Sequence, residues 1–247
     1  MKILVCLSKV PDTTTKISFT DNNTKFNAQG VTWILNPTDE WYALVRALEI
    51  VEQQGGSVTV IHVGNAEGDQ LIRKALAIGA NDAVRIDVEP QDAFQAAANI
   101  AQYAAQQSYD LIMTGKETIN YNGAIVGGII AEILELPYVS LASSLDVNGS
   151  TATMKCEIEG GEETVEASLP LVVSANKGMA EQRIPNMRGI MTARTKPLSV
   201  IPAFANTQTQ VEVVKFEAPP TRGNVHLVDP DNMDELVRLL HDEAKVI

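Results

Sequence analysis

Short apolar runs alternate with helical patterns along the first 140 residues, and this alternation restricts the fold more than any other feature of the sequence. The runs have the length and composition of buried strands, and they lie at 2–7, 57–64, 83–88 and 110–115. Helical spacing fills the stretches between them, at 38–54, 67–78, 91–107 and 123–135. Apolar strands joined by helices predict an α/β fold, a Rossmann-like parallel sheet covered on both faces.

The pattern changes after Pro137. A further strand is predicted to begin at Tyr138, and residues 151–175 then read TATMKCEIEGGEETVEASLPLVVSA. This stretch favours two or three consecutive strands, with Gly160-Gly161 as a hairpin turn. We therefore expect an antiparallel extension of the parallel sheet.

The last part of the chain has a different character. Prolines interrupt residues 202–224, which are predicted to be extended, and a capped amphipathic helix is predicted in DPDNMDELVRLLHDEA. We expect an α/β domain over 1–200, and an extended C-terminal arm with a helix over 201–247 that either packs back on this domain or wraps a partner subunit.

Charge and hydrophobicity exclude several classes of protein. The net charge of −12 argues against nucleic acid as a partner. No apolar stretch approaches the ~20 residues of a membrane span, so no direct membrane insertion is expected. The N-terminus enters a strand without the features of a signal peptide, which predicts a cytoplasmic location.

Cysteine and histidine give no pattern for a metal site. Cys6 and Cys156 are far apart in the sequence, and the three histidines have no ligand spacing. We expect no metal.

The residues GKETINYNGAIVGG, at 115–128, follow the strand at 110–115 and lead into a helix. In an open parallel sheet, ligands bind beyond the carboxyl ends of the strands. Gly115 and Asn122-Gly123 permit backbone N–H groups to approach a phosphate, and Lys116 supplies a positive charge. Asn36, on the Asn-Pro turn before the first helix, supplies a further hydrogen-bonding group. An ordinary strand-to-helix turn explains the same residues.

Sequence motifs for catalysis are missing. GKET lacks the glycine spacing of a Walker A loop, and no G-x-G-x-x-G follows the first strand. The acids Asp39-Glu40 begin a helix, where negative charge favours the helix dipole, and Glu162-Glu163 lie at a hairpin. We expect no catalytic residues.

A basic segment at 183–196 stands out in this acidic chain. Its arginines flank apolar residues, an arrangement typical of a protein-docking surface, although a solvated loop explains it too. The candidate docking residues are Ile184, Met187, Arg188, Ile190 and Met191.

Several motifs in order resemble the β subunit of electron transfer flavoproteins. They are KILVCLSKVPDTTTKI, NPTDEWYALVRALE, IRKALAIGANDAVRI, DLIMTGKETINYNGAIVGGIIAEILELPYVSLAS, EGGEETVEASLPLVV, GIMTARTKPL and EAPPTRG. The resemblance runs nearly end to end. It implies a fold like that of the adenine nucleotide α-hydrolases, with antiparallel strands and a C-terminal arm added.

The resemblance also implies a cofactor pocket for AMP, or for a second FAD. Carried over by position, the pocket comprises Cys6, Asn36, Pro37, Thr38, Asp39, Val63, Gly115, Lys116, Glu117, Thr118, Ile119, Asn120, Tyr121, Asn122, Gly123, Ala124, Ile125 and Val126. A redox FAD is shared with the α subunit, and Asp12, Thr13 and Thr38 lie near it.

The function that the resemblance implies is electron transfer between flavoprotein dehydrogenases and a quinone-linked acceptor, without bond-making chemistry by this subunit. The segment around Met187 matches the family's docking loop. Asn-Tyr-Asn at 120–122 replaces the family's acidic run, and Val126 replaces a frequent Thr. Two alternatives remain: a subunit of an electron-bifurcating flavoprotein with its own FAD, and a stand-alone nucleotide-binding stress-type protein.

Overall fold

The predicted apolar runs form strands of one large sheet in the computed structural model, which describes residues 1–205, 207–221, 223 and 225–247. The strands are β1 Lys2–Leu7, β2 Lys9–Pro11, β3 Phe19–Thr20, β4 Lys25–Phe26, β5 Trp33–Leu35, β6 Ser57–Val63, β7 Asp82–Asp87, β8 Leu111–Gly115, β9 Tyr138–Asn148, β10 Thr151–Ile158, β11 Gly161–Ser168, β12 Leu171–Ala175 and β13 Leu198–Pro202. The helices are α1 Asp39–Gln54, α2 Asp69–Ile78, α3 Ala93–Ala105, α4 Val126–Leu134, α5 Met187–Ala193 and α6 Met233–Arg238.

The large sheet has nine strands in the order β11-β10-β9-β12-β8-β1-β6-β7-β13. Seven adjacent strands, in the spatial order β9-β12-β8-β1-β6-β7-β13, pair in parallel. At the other end of the sheet, β10 pairs antiparallel with both β9 and β11. The structure thus confirms the prediction of a Rossmann-like α/β fold with an antiparallel extension.

Residues alternate between two cores along the central strand β1. Ile3, Val5 and Leu7 join a core that contains buried residues of α1 and α2. Leu4 and Cys6 face the other side, in a core that contains buried residues of α3 and α4. Because successive side chains of a strand point to opposite faces, a strand covered on both faces reads as continuously apolar.

The predicted helices are present with shorter bounds. The helix predicted over 123–135 begins three residues later, at Val126, because the loop before it is longer than the pattern indicates. Residues Ala66–Gly68 form a 3₁₀ turn before α2. The short strands β2 and β5 and the edge strand β13 were not predicted.

A second unit of the chain has no core of its own. It comprises Ser18–Phe26 with Lys215–Ile247, whereas Met1–Ile17 and Asn27–Val214 form the first unit. Its hairpin β3–β4 is joined to the later segment by a stacked ring pair, Phe19 on Phe216, with centroids 5.1 Å apart. None of its described residues is buried.

Its C-terminal helix is capped as predicted. The Asn232 side chain accepts a hydrogen bond from the Glu235 N–H at the start of α6. The helix then continues as a π-helix over Leu239–Ala244.

Residues between β13 and the C-terminal helix contain no helix or strand in their described part. The extended segment predicted over 202–224 includes Asn206, Arg222 (the arginine of EAPPTRG) and Asn224, and those three residues lie outside the described ones. The boundary expected at residue 200 stays a prediction. No helix within the described ranges is long and apolar enough to cross a bilayer.

Candidate functional site

A crevice is expected where the chain reverses its direction of travel through the sheet. From β1 the chain proceeds through α1 to β6 and β7 on one side, and β8 and β12 later fill the other side. The carboxyl ends of β1 and β8 therefore flank the topological switch point, which is where open α/β sheets bind their ligands.

Gly115 brings the end of β8 against the start of α1. A Cβ atom at this position would lie 2.8 Å from Cγ of Glu40, 2.9 Å from its backbone N and 3.1 Å from Cβ of Asp39. Real Cβ contacts are longer than this, so any larger residue would push the strand and the helix apart. The glycine is required here for close approach.

Hydrogen bonds fix the first two residues of the loop that follows β8. The Lys116 N–H donates to the Ala175 carbonyl at 2.8 Å. The Asn36 amide Nδ2 donates to the Glu117 carbonyl at 2.9 Å, and the Glu117 N–H donates to Asp39 Oδ2 at 3.4 Å. The sequence prediction that Asn36, Asp39 and the loop lie together is consistent with these contacts.

The rest of the loop is exposed. Asn122 and Ala124 have φ angles of 51° and 53°, in the left-handed region where asparagine is favoured. The Asn122 N–H closes a turn on the Thr118 carbonyl at 2.9 Å. Tyr121 is 68% exposed and Ile125 is 50% exposed, so this segment is open to a ligand or a partner.

Two buried polar atoms beside the crevice have no hydrogen-bond partner among the described residues: Oδ1 of Asn36 and Oγ1 of Thr114. Thr114 immediately precedes Gly115, and its Oγ1 lies 2.9 Å from where a Cβ atom of Gly127 would be. Unsatisfied buried polar groups are costly and rare. A polar ligand with hydrogen-bonding groups is one way to complete such atoms.

Burial determines the electrostatics at the start of α1. Both Asp39 and Glu40 are buried, with 6% and 5% exposure. Loss of solvation raises the pKa of Asp39, against the opposing effects of the Glu117 N–H and the Lys116 charge. Burial raises the pKa of Glu40 to about 8, although the Ser8 N–H donates to its Oε2 at 2.6 Å.

Cys6 and Val63 occupy the carboxyl ends of β1 and β6, and both are buried in the apolar core on the α3 and α4 side. Burial raises the pKa of the Cys6 thiol, with a smaller contribution from Glu40. Cys6 is therefore an inert, protonated core residue at neutral pH.

The residues that the resemblance places near the flavin lie on turns. Asp12 follows β2, and its Oδ1 accepts hydrogen bonds from Thr14 N–H at 2.9 Å and from Thr14 Oγ1 at 2.6 Å. Thr13 and Thr38 are exposed, and the Thr38 carbonyl accepts from the Trp41 N–H in the first turn of α1. Their role near a flavin stays a prediction.

The predicted docking residues lie on and before α5, and they are strongly exposed: Ile184 by 85%, Met187 by 73%, Met191 by 69% and Ile190 by 43%. Arg188, also exposed, lies among them. Asn186 caps the helix, since its Oδ1 accepts from the Gly189 N–H at 2.8 Å.

Side chains of α1 and α2 hold the segment that carries these residues. Arg73 donates to the carbonyls of Ala193 and Lys196 at 2.8 and 2.7 Å. Arg183 forms a bidentate ion pair with Glu52, at 2.6 and 3.0 Å. The apolar side chains are therefore presented on a fixed support, which lowers the entropy lost on binding.

A groove of about 550 Å³ lies between α2 and α5. Its apolar part comes from Ala77, Pro185, Ile190 and Ala193, and cationic side chains border it: Arg73, Lys74 and Arg194.

Sequence reasoning missed Glu40 and Ser8. The sequence analysis places Asp39 in the pocket, but it gives Glu40 only a favourable interaction with the helix dipole. Glu40 precedes Leu44 by four residues and Ala47 by seven, which places it on the buried face of α1. That spacing is the signal that could have found it.

The fold and the close packing at its switch point define a class: a doubly wound α/β protein in which a glycine lets the end of β8 approach the start of α1. A sequence profile described as "Electron transfer flavoprotein domain" matches residues 23–206. The chain belongs to the electron transfer flavoprotein family, among its β subunits.

Three relatives illustrate the match. The chain is 32% identical to the electron transfer flavoprotein subunit beta of Bacillus subtilis, with all of both chains covered. It is 33% identical to that of Mycobacterium leprae over 96% of this chain and 97% of the relative. It is 29% identical to that of Homo sapiens over 90% of each. The resemblance found in the motifs is thus confirmed.

Proposed function

We propose that this chain is the β subunit of an αβ electron transfer flavoprotein that passes electrons between flavoprotein dehydrogenases and a quinone-linked acceptor. The observation that carries the proposal is the switch point at the ends of β1 and β8, with its required glycine and two unsatisfied buried polar atoms. The match to β subunits over their full length supports it further. That match favours a heterodimer subunit over a stand-alone stress-type protein.

In this proposal the crevice binds an adenine nucleotide. Asn36 and Thr114 supply hydrogen-bonding groups that are buried and unsatisfied, and Lys116 supplies a positive charge. Lys116 Nζ lies 3.2 Å from Glu117 Oε1, so a phosphate would compete with that carboxylate for it. The subunit binds and positions its cofactors and makes no bonds itself.

AMP is the first candidate for this pocket. A second FAD is the other candidate, and with it a role in electron bifurcation. Asn-Tyr-Asn at 120–122 lacks the acidic run of the family, which favours a ligand with phosphate or hydroxyl groups and is compatible with both candidates. The exposed loop at 118–125 leaves room for either one.

The α subunit is the proposed partner of the second unit. Six apolar side chains of this unit are more than half exposed: Val225, Leu227, Met233, Val237, Val246 and Ile247. A segment with this composition and no buried residue is stabilised by packing on another chain. The shared FAD supplies the redox chemistry when it is bound, and Asp12, Thr13 and Thr38 are proposed to contact it.

Flavoprotein dehydrogenases are the proposed partners of α5. The exposed methionines and isoleucines form an apolar centre, and the cations of the neighbouring groove form a polar rim, which is the anatomy of a protein interface. The proposed location of this carrier is the cytoplasm.

Co-expression with an α subunit tests the proposal. A yellow heterodimer that a flavoprotein dehydrogenase reduces supports it. The proposal is contradicted if the chain, although co-expressed with the α subunit, purifies without it as a homodimer that contains no flavin.

A further inference from the structure

Glu40 joins the three parts of the crevice. It lies in the first turn of α1, its Oε2 accepts a hydrogen bond from the Ser8 N–H at 2.6 Å just after β1, and its Cγ lies where Gly115 leaves space at the end of β8. The Ser8 carbonyl in turn accepts from the Asn36 N–H at 3.4 Å. A shift in the position of the Glu40 carboxyl group would therefore affect the ends of both β1 and β8.

The charge state of Glu40 depends on its surroundings. The titratable groups that interact with it are Asp39 on its own helix and Cys6 on β1. Lys116 and Glu117, on the loop after β8, act on Asp39. Asp39 is adjacent and buried, so ionisation of Glu40 places a second negative charge beside it. Since Glu40 is itself buried, its protonated form is favoured up to about pH 8.

We propose that Glu40 is the positioning residue of the crevice, and that binding of an adenine nucleotide is coupled to protonation of its carboxyl. The inference rests on the proposed function, because it concerns the same pocket. A protonated Glu40 keeps the Ser8 contact and leaves the crevice free of a buried charge. An ionised Glu40 repels the anionic phosphate in a region of low dielectric constant, where a charge acts strongly.

The coupling works in both directions. If the nucleotide prefers the protonated form, raising the pH weakens nucleotide binding, and binding draws a proton from solution. Both effects depend on one side chain, so replacing it by its neutral isostere removes both.

Glu40→Gln is the decisive variant. Glutamine has the same shape and keeps an oxygen that accepts from the Ser8 N–H, so it reproduces the protonated form. Glu132→Gln, the same change on the exposed surface of α4, is the matched control.

The heterodimer, stripped of its nucleotides and reconstituted with FAD at the shared site, is titrated with AMP by calorimetry between pH 6.5 and 9.5. A parallel arm uses FAD as the titrant. From pH 7 upward about nine-tenths or more of the AMP phosphate is doubly ionised, since its second pKa is near 6, so affinities are compared from pH 7. Repeating the titration at pH 8 in buffers of different ionisation enthalpy gives the number of protons taken up.

For the unmodified chain and for Glu132→Gln, we expect AMP affinity to fall by roughly tenfold from pH 7 to 9.5, with uptake of about half a proton at pH 8. For Glu40→Gln we expect tight binding at every pH and no uptake. The same pH dependence in Glu40→Gln and in the unmodified chain would overturn the inference while leaving the nucleotide pocket intact. If neither AMP nor FAD binds at any pH, the nucleotide pocket is wrong and the inference fails with it.

If Glu40→Gln does not fold, proton uptake by the unmodified chain decides alone. Uptake at pH 8 that falls to about a tenth of a proton at pH 7 supports the coupling, and equal uptake at both values contradicts it.

Discussion

Gly115 lies against Glu40 so closely that a Cβ atom on the glycine would come within 2.8 Å of the Glu40 Cγ atom. The contact joins the carboxyl end of β8 to the first turn of α1. Both elements bear residues of the proposed nucleotide pocket. The spacing of the crevice therefore depends on the smallest residue of the chain.

Replacement of this glycine is the first test of that dependence. Gly115→Ala is expected to reduce bound nucleotide strongly and to lower stability by about 1–3 kcal/mol, because a backbone atom of Glu40 is among those displaced. Mass analysis of released nucleotide and thermal unfolding measure the two effects. Gly161→Ala is the control, since its Cβ would meet nothing within 4 Å. Full nucleotide retention in Gly115→Ala would contradict the proposed site.

Stability should depend on pH through Glu40. The pKa of Glu40 in the folded chain, about 8, is above its ordinary value of 4.5, so the folded state binds the proton more tightly than the unfolded state does. The stability contributed by this proton is complete below pH 4.5 and is lost as the pH rises to 8, at up to about 1.4 kcal/mol per pH unit.

Glu40→Gln removes that loss. We therefore expect the variant to gain stability over the unmodified chain as the pH rises from 5 to 8, with a constant difference above pH 8. Denaturant unfolding at several pH values, on samples free of nucleotide, provides the measurement. A difference that does not change with pH would show that Glu40 is ionised throughout.

Lys116 should contribute to nucleotide retention through its charge. Lys116→Ala is expected to weaken AMP binding by about five- to tenfold at low salt, and by less at high salt because its side chain is partly exposed. Equilibrium dialysis measures the affinity. Lys155→Ala, which removes an exposed charge on β10, should leave the affinity unchanged. Equal losses in both variants would point to a general charge effect and away from a phosphate contact.

Met187 is the expected anchor of the docking segment. Met187→Ala should raise the KM for this carrier in its reduction by a dehydrogenase by roughly tenfold, the effect of removing one apolar side chain that becomes buried on docking. Flavin content should not change. Ile158→Ala, at an exposed site on β10, serves as the control. An unaltered KM in Met187→Ala, with a raised KM in Ile184→Ala, would move the anchor to Ile184.

The sequence predicts the parallel sheet well for a physical reason. Strands buried on both faces, such as Lys2–Leu7, carry apolar residues at successive positions, and this signal is local. The edge strand Leu198–Pro202 escapes prediction because it pairs with β7 through contacts distant in sequence. Its own pattern, half exposed and ending in proline, is not typical of a strand.

The site is predictable in part. Glycine at a strand end and the Asn-Pro turn are local signals, and the structure brings Gly115, Asn36 and Asp39 together. The importance of Glu40 is not local, because its altered pKa arises from burial beneath elements far along the chain. An acid at a helix start has an ordinary explanation, and only the three-dimensional packing shows that this one is buried.

The most direct test of the central claim is the nucleotide content of the heterodimer. After co-expression with the α subunit and gentle purification, denaturation and mass spectrometry count the released nucleotides. We predict one FAD for the shared site and one further adenine nucleotide for the crevice, with the second lost selectively in Gly115→Ala. A flavin-containing heterodimer that releases only one nucleotide per αβ pair would contradict the account.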